Sequence, residues 1–203
     1  MAVRVKICGV TRVEDAVAAC EFGADLIGLN FFRPSPRSVE LKTARVIAQA
    51  VAARGAALVG VFVDAPRPKI EQIRQALKLD LLQFHGNEDE QALSGWPLPV
   101  IRAWRVPAGA VLDWSERPKA DYVLLDHYDR KLFGGTGHAL PNLMLLGFDL
   151  GTTIISGGLR PHSVRAAAAL KPWAVDVASG VESAPGVKDH DKLKEFIANA
   201  KSA

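Results

Sequence analysis

The chain alternates between two patterns of hydrophobic and polar positions. Short apolar runs rich in β-branched residues, such as residues 58–63 and 122–125, end at an aspartate or another polar residue or at a glycine. Stretches in which apolar residues recur at helical spacing, such as residues 41–53, follow most of these runs. Continuous apolar runs indicate strands buried on both faces, as in a parallel sheet covered by helices. The pattern therefore predicts parallel strands that alternate with helices.

Eight such strands can be placed along the 203 residues, at 3–7, 26–31, 58–63, 81–84, 100–104, 122–125, 153–155 and 174–177. Helices are predicted at 41–53, 70–77, 164–170 and 193–200, with two more capped near Thr11 and Asn87 and a weak helical segment after the fifth strand. Eight such units predict an α/β protein, a single-domain (β/α)8 barrel over residues 1–203. The alternative is an open doubly wound sheet, which usually has a glycine-rich loop where this chain has Cys8-Gly9.

Composition narrows the class of protein further. Apolar residues make up 49% of the chain, which is enough for a sizeable core and argues against disorder. The formal net charge is only +3 and the basic residues are scattered, so no nucleic-acid partner is expected. No apolar stretch of about 18 residues is present, so no membrane span is expected. We interpret Cys8 and Cys20 as reduced thiols of a cytoplasmic protein.

In a (β/α)8 barrel the active site lies at the C-terminal ends of the strands. Position therefore selects the candidates, which are Cys8, Asn30, Asp64, His85, Arg102, Asp126, Ser156, Gly157, Gly158, Asp176, Ser179 and Gly180. Gly157-Gly158 and Ser179-Gly180 follow the seventh and eighth strands, where many barrels bind phosphate through backbone N–H groups. Either glycine pair could also simply end a strand, but the two together favour a phosphate site.

Two strand-end residues suit proton transfer. A thiol at Cys8 could serve as a base or nucleophile if its pKa is lowered, although a lone cysteine is often only a core residue, as expected for Cys20. A carboxyl at Asp126 could act as a general acid, or could instead cap a helix or pair with a cation. His85 could be functional or a structural hydrogen-bonding residue.

Two loops could also take part. Arg37 lies in the proline-rich loop after the second strand, where its guanidinium could bind a carboxylate with two parallel hydrogen bonds or could merely be solvated. Gly134-Gly135-Thr136-Gly137, after the sixth strand, is interpreted as a mobile lid or turn. A phosphate cradle is the less favoured alternative, because the Walker pattern of a phosphate loop is absent.

At this point the chain resembles the phosphoribosylanthranilate isomerase family of tryptophan biosynthesis. The similarity covers the whole length, in order, in Lys6-Ile7-Cys8-Gly9, Ser35-Pro36-Arg37, Val59-Gly60-Val61-Phe62, Gln83-Phe84-His85-Gly86, Asp126 with Gly134-Gly135-Thr136-Gly137, Ser156-Gly157-Gly158-Leu159, residues 176–182 and Pro185-Gly186-Val187-Lys188-Asp189. A single motif of this kind has little specificity, whereas the ordered set is specific.

The resemblance implies an Amadori rearrangement of N-(5-phosphoribosyl)anthranilate to a 1-deoxy-ketose, with no metal and no organic cofactor. It implies Cys8 as the base, Asp126 as the acid and Arg37 as the contact to the anthranilate carboxylate. His85 and Asp176 are expected to bind substrate, and the partner is a phosphorylated aminosugar.

The resemblance also implies that the phosphate lies on Gly157, Gly158, Ser179 and Gly180. Two departures from the family pattern are His138-Ala139-Leu140-Pro141-Asn142-Leu143, where a lysine and Phe-Asp-Trp are common, and Ala178 in place of a frequent serine.

Two other functions compete with this one. Another phosphate-binding barrel, such as an isomerase of the histidine pathway or a ribulose-phosphate epimerase, would more often have aspartates at strands one and six or a metal, whereas strand one here carries Cys8. A catalytically silent barrel used for binding or assembly is the second alternative. The chain is expected to be a monomer or a homodimer.

Overall fold

The computed structural model describes residues 3–107, 113–128 and 149–203. Eight parallel strands form a closed barrel in chain order, and β1 pairs with β8 to complete it. The strands are β1 Arg4–Cys8, β2 Leu26–Asn30, β3 Ala57–Phe62, β4 Leu81–Phe84, β5 Val100–Pro107, β6 Tyr122–Tyr128, β7 Thr153–Ser156 and β8 Ala174–Val177. The predicted (β/α)8 barrel is confirmed, and closure excludes the open doubly wound sheet.

Helices cover the outside of the barrel in most of the connections that the structure describes. They are α1 Val13–Glu21, α2 Leu41–Ala52, α3 Arg67–Leu77, α4 Glu90–Leu93, α5 Val164–Ala169 and α6 His190–Lys201. On α2, Ala44, Ile47 and Val51 are buried, and their helical spacing turns one face toward the strands. Among the helices of residues 3–107, 113–128 and 149–203, none is long and apolar enough to cross a membrane.

The two predicted helix caps are wrong. The cap of α1 is Arg12, and the Thr11 hydroxyl instead donates to the carbonyl oxygen of Gly186. Asp89, and not Asn87, caps α4, because its carboxylate accepts the Ala92 N–H. The weak helical segment predicted after β5 falls partly on residues 108–112, outside the described residues, and the described remainder of the connection contains one turn of 3-10 helix, Trp114–Glu116. The loop at 134–137 and the departure at 138–143 lie outside the described residues.

A short antiparallel pair, β9 Glu182–Ala184 and β10 Val187–Lys188, was not predicted. It follows β8 and leads into α6. The sequence pattern gave no sign of it, because strands of three and two residues are too short for a periodicity to be detected.

Alternate residues of each strand point into the barrel. Apolar side chains fill its lower part in a single cluster of Leu26, Val59, Leu81, Ile101, Ala103, Leu124, Ile154 and Ala174. Further along the same inward rows, toward the C-terminal ends, the buried residues become polar, as at Lys6, Gln83, Ser156 and Asp176. The barrel therefore has an apolar floor and a polar upper layer.

Three aspartates brace the N-terminal end of the barrel. Each lies immediately before an even-numbered strand, and its carboxylate accepts the N–H of a residue in the preceding odd-numbered strand. The bonds are Val5 N to Asp25 Oδ2 at 2.7 Å, Leu58 N to Asp80 Oδ2 at 2.7 Å and Val100 N to Asp121 Oδ2 at 2.8 Å. A charged acceptor makes each of these bonds stronger than an ordinary backbone pair.

Candidate active site

A buried ion pair joins the first and last strands. Lys6 and Asp176 are register partners of β1 and β8, and the Lys6 Nζ lies 2.7 Å from Asp176 Oδ1. The other oxygen, Asp176 Oδ2, accepts a 2.9 Å hydrogen bond from the Ser156 hydroxyl. Burial alone would lower the pKa of Lys6, but the charges and hydrogen bonds of Asp176 and Cys8 together outweigh burial, and the Lys6 pKa lies above its usual value. Lys6 is therefore a permanent cation beneath the mouth of the barrel.

Cys8 lies two residues beyond Lys6 on the same inward row and is close to its ammonium. Space for both comes from Gly28 on β2, where a Cβ would lie 3.0 Å from Cys8 Sγ and 3.3 Å from Lys6 Nζ. Burial raises the pKa of the Cys8 thiol, and the charge and hydrogen bond of Lys6 offset only part of this effect. The free chain therefore holds a neutral thiol at neutral pH, beside a cation that favours its ionisation.

Asp126 is held by a short chain of polar groups across β4 and β6. Its Oδ2 lies 3.1 Å from His85 Nε2, and His85 Nδ1 lies 3.1 Å from the amide nitrogen of Gln83. The side chains of Asp126 and His85 are 28% and 26% exposed, so both reach the mouth, whereas Gln83 is buried. Cys8 ends β1, and Asp126 lies two residues before the end of β6. Two strands separate β1 from β6 on one side of the barrel and four on the other, so the two side chains face each other across the mouth.

Arg37 is already fixed by a carboxylate. Its Nε donates to Glu182 Oε1 at 2.9 Å and its Nη2 donates to Glu182 Oε2 at 2.7 Å. The Lys188 ammonium donates to Glu182 Oε1 at 3.0 Å from the other side. Burial would raise the Glu182 pKa, but the two cations keep that pKa below its usual value. The guanidinium edge that carries Nη1 has no partner among the described residues.

Gly9 makes room for Arg37. Its φ of +68° is in the left-handed region, and a Cβ there would lie 2.8 Å from Arg37 Cδ. The backbone after β1 therefore lies against the Arg37 side chain, and Arg37 and Cys8 are brought into one site.

The glycines after β7 and the glycine after β8 differ in their surroundings. Gly157 and Gly158 both have positive φ, at 84° and 69°, and a Cβ on Gly158 would meet no atom within 4 Å. In the described part of the chain, neither of their N–H groups has a partner. Gly180 is buried, and a Cβ on it would lie 1.9 Å from the carbonyl oxygen of Leu159. Open amides after β7 and close packing of the β8 loop against the β7 loop make a shelf where an anion can approach the backbone.

Three of the strand-end candidates have structural partners instead. Asn30 Oδ1 accepts the N–H of Phe32, Asp64 Oδ1 accepts the N–H of Asn87, and Arg102 forms an ion pair with Glu88 at 2.7 Å. Within the described ranges, no group of three or more His, Cys, Asp or Glu side chains could hold a metal ion.

Lys6, Glu182, Lys188 and Gln83 contribute to the site although no role was predicted for them. Lys6 and Gln83 could have been found, because each is a polar residue of an apolar strand, two positions before a candidate on the same inward row. Glu182 and Lys188 belong to the undetected β9–β10 pair.

Comparisons with known proteins identify the family of the chain. The model of the N-(5'phosphoribosyl)anthranilate (PRA) isomerase family matches residues 5–199. An N-(5'-phosphoribosyl)anthranilate isomerase of Pseudomonas fluorescens is 46% identical over 200 residues, covering 97% of each chain.

Two solved structures are also similar. Monomers made from the dimeric enzyme of Thermotoga maritima align with a TM-score of 0.80 and 35% identity, over 99% of this chain and 100% of theirs. A phosphoribosyl anthranilate isomerase in complex with reduced 1-(o-carboxyphenylamino)-1-deoxyribulose 5-phosphate aligns with a TM-score of 0.77 and 32% identity, over 99% and 100% of the chains. These matches confirm the isomerase activity and the place in tryptophan biosynthesis that the sequence motifs implied. A chain matched over its whole barrel by this model, these relatives and these structures belongs to the phosphoribosylanthranilate isomerase family.

Proposed function

We propose that this chain isomerises N-(5'-phosphoribosyl)anthranilate by acid–base catalysis, with Asp126 as the acid and Cys8 as the base. The observation that carries the assignment of roles is that the two groups face each other across one mouth, each near the C-terminal end of an inward row. A sugar bound between them would present its ring oxygen to one group and its C2 proton to the other.

The reaction needs only proton transfers. Asp126 gives a proton to the ring oxygen, and the furanose opens to a Schiff base between C1 and the anthranilate nitrogen. Cys8 then removes the proton on C2, and the resulting enolamine tautomerises to the 1-deoxy-ketose. Each positioned acid or base contributes roughly a factor of 100 to 10,000 in rate.

Cys8 must lose its proton before it can act as the base. Lys6 stabilises the thiolate, because its cation lies beside the sulfur and its own pKa is raised. Asp176, buried with both oxygens bonded to Lys6 and Ser156, is better suited to holding Lys6 in place than to direct contact with substrate. The role of Asp176 in substrate binding is therefore proposed to be indirect.

The remaining groups suit the two anionic ends of the substrate. The free edge of Arg37 would bind the anthranilate carboxylate, and the amides at Gly157, Gly158, Ser179 and Gly180 would bind the phosphate. The compound held by the structural relative carries both a carboxyphenylamino group and a 5-phosphate, which supports this arrangement. His85 would contact the sugar from beside Asp126.

The test is turnover, followed as loss of the anthranilate fluorescence of the substrate, together with binding of the reduced product analogue. The wild type should turn over substrate, and Cys8→Ser and Asp126→Asn should bind the analogue without turning over. A wild-type chain that binds the analogue but shows no turnover would instead be a silent barrel.

We further propose that residues 1–203 work as one domain in the cytoplasm, as a monomer or homodimer. The family is biosynthetic, both cysteines are unpaired, and the Thermotoga maritima relative is described as dimeric. Sedimentation of the purified chain would distinguish the two oligomeric states.

A further inference from the structure

Gln83 presents an unusual hydrogen-bonding situation. It is only 1% exposed, and its amide nitrogen is 3.1 Å from His85 Nδ1. Its amide oxygen is buried and has no hydrogen-bond partner among the described residues. Buried side-chain oxygens are nearly always bonded, so an exception requires a physical reason. His85 Nδ1 is the one hydrogen-bond partner of this amide among the described residues, so its protonation state decides whether the amide nitrogen or the amide oxygen faces it.

An amide offers a donor at one end and an acceptor at the other, and the two ends are nearly the same size. With the nitrogen toward His85, Nδ1 must accept, so the ring carries its proton on Nε2 and donates to an ionised Asp126. With the amide turned by half a rotation, Oε1 accepts from a protonated Nδ1. His85 Nε2 and Asp126 Oδ2 then share one further proton, which lies on either of them.

The two arrangements therefore differ by one proton on the His85–Asp126 pair. We propose that Gln83 is a positioning residue whose amide turns as this pair gains or loses the proton that Asp126 delivers to the substrate. The proton leaves Asp126 for the ring oxygen, which leaves the carboxylate ionised and the ring protonated on Nδ1. The Nδ1 proton then passes to solvent at the mouth and Nε2 takes one from solvent, after which Gln83 donates to Nδ1 again. The proposal rests on the proposed function, since it assumes that Asp126 is the acid.

Glutamine suits this position because it satisfies Nδ1 in both states. An ionised carboxylate could only accept, and would keep a proton on Nδ1 in both states. An apolar side chain of similar length would leave Nδ1 without a partner and the ring without a fixed tautomer. Either change should alter the pair without touching the substrate.

The charged groups around His85 are already engaged. Arg105 of β5 donates to the His85 carbonyl oxygen at 2.9 Å, and Arg102 forms its ion pair with Glu88 while donating to Gly86. Asp64, after β3, is bonded to the Asn87 N–H. Asp126 on β6 is the charged group that the His85 ring itself contacts in the described part of the chain.

The experiment is ¹⁵N NMR of the histidine rings of the full chain, with the His85 signals identified by their absence in His85→Asn. In the wild type at alkaline pH, Nδ1 should give the signal of an unprotonated nitrogen and Nε2 that of a protonated one. In Gln83→Glu, Nδ1 should stay protonated at the same pH. In Gln83→Met, the two tautomers should coexist.

The kinetic counterpart uses the pH profile of kcat/KM. Gln83→Glu should move the limb that belongs to the His85–Asp126 pair upward by about one to three pH units, as a new charge at this range does, while the Cys8 limb stays in place. Gln83→Met should lower kcat by up to about 100-fold with KM little changed, because the acid is less well oriented.

The matched control is the double substitution. If Gln83 acts through His85, Gln83→Met should have no further effect on kcat in a His85→Asn background. A purely structural role for Gln83 predicts an equal loss in both backgrounds and would overturn the proposal, as would one unchanged tautomer in all three proteins. The NMR result does not depend on turnover. It therefore distinguishes two failures: that Asp126 is not the acid, and that Gln83 does not set the tautomer of His85. If Gln83→Glu does not fold, the Gln83→Met variant and its combination with His85→Asn still test the proposal.

Discussion

The ammonium of Lys188 lies 2.7 Å from the carbonyl oxygen of Cys8 and so ties the end of the first strand to the segment after the eighth. The same nitrogen donates to the carbonyl oxygen of Ala178 at 2.9 Å and to Glu182. Three acceptors converge on one buried cation at the seam where the barrel closes. The position of the Cys8 backbone thus depends on the small β9–β10 pair, through Lys188.

The first prediction concerns the pH dependence of stability. The folded chain holds the Glu182 pKa below its usual value of 4.5, so the folded state binds fewer protons than the unfolded state as pH falls. The contribution of Glu182 is therefore complete above that value and is lost as the pH drops through the lowered pKa. Urea unfolding between about pH 7 and about pH 3 should show a smaller acid loss of unfolding free energy in Glu182→Gln than in the wild type.

Glu90→Gln is the control for this measurement. This substitution removes an exposed ion pair with Lys119, which contributes little to stability. The variant should therefore lose as much unfolding free energy at acid pH as the wild type does. The prediction would be contradicted if the free energy of unfolding fell equally with decreasing pH in Glu182→Gln and in the wild type.

The second prediction concerns Cys8. Cys8→Ser should lower kcat by about two to four decades, because a hydroxyl is far too weak an acid to form the base, while affinity for the reduced product analogue persists. Cys20→Ser is the matched control, since Cys20 is a half-buried thiol on α1 away from the mouth. Near-normal turnover in Cys8→Ser would remove Cys8 from the mechanism.

The third prediction concerns Asp126 and the pH profile. Asp126→Asn cannot give up a proton, so kcat should fall while analogue binding is kept. In the wild type, kcat/KM should be bell-shaped, and the limb that belongs to Cys8 should lie on the alkaline side because burial raises its pKa above 9.0. A flat profile, with chemistry shown to limit the rate, would exclude this acid–base pair.

The fourth prediction concerns Arg37. Lysine has the charge but cannot bond Glu182 through two nitrogens and also present an edge to a carboxylate. Arg37→Lys should therefore weaken substrate binding, and Arg37→Ala should weaken it more. An analogue without the carboxylate gives the stricter test: its loss of affinity and that of Arg37→Ala should not add. Full additivity would mean that Arg37 serves only to hold Glu182.

The fifth prediction concerns the phosphate. Gly158→Asp should raise KM by at least about tenfold through repulsion of the phosphate, and inorganic phosphate should compete with substrate in the wild type. Gly55→Asp is the matched control, because Gly55 also has a positive φ, at 75°, and no neighbour within 4 Å of its Cβ position, but lies at the end of α2. Equal KM values for the two variants would place the phosphate elsewhere. Gly180→Asp is unsuitable, since the Leu159 carbonyl leaves no room for any side chain there.

The fold could be predicted because each strand carries its own signal. Continuous apolar runs mark buried parallel strands, and eight of them in a short chain leave few architectures. The caps at Thr11 and Asn87 could not be predicted reliably, since several neighbouring residues can cap a helix and tertiary contacts decide among them. Thr11 is drawn away by its bond to the carbonyl oxygen of Gly186, a residue far along the chain.

The site could be predicted only in part, for a related reason. Cys8, Asp126 and Arg37 can be found from strand ends and from motifs, because position along the chain selects them. Their partners cannot, because the pairing of Arg37 with Glu182 joins residues 145 positions apart. Contacts between residues so far apart in the sequence form only when the barrel closes, and they leave no local pattern in the sequence.

The three aspartates at the base of the barrel have a consequence for dividing the chain. Asp25 bonds β1, Asp80 bonds β3 and Asp121 bonds β5, so each bond links the two strands of one consecutive pair. The connection at residues 53–56, between α2 and β3, separates the first pair from the other two without separating any aspartate from its strand. Two fragments cut there would each retain their own bracing, as would fragments cut between β4 and β5, so the chain can be divided at either connection without separating an aspartate from the strand that it braces.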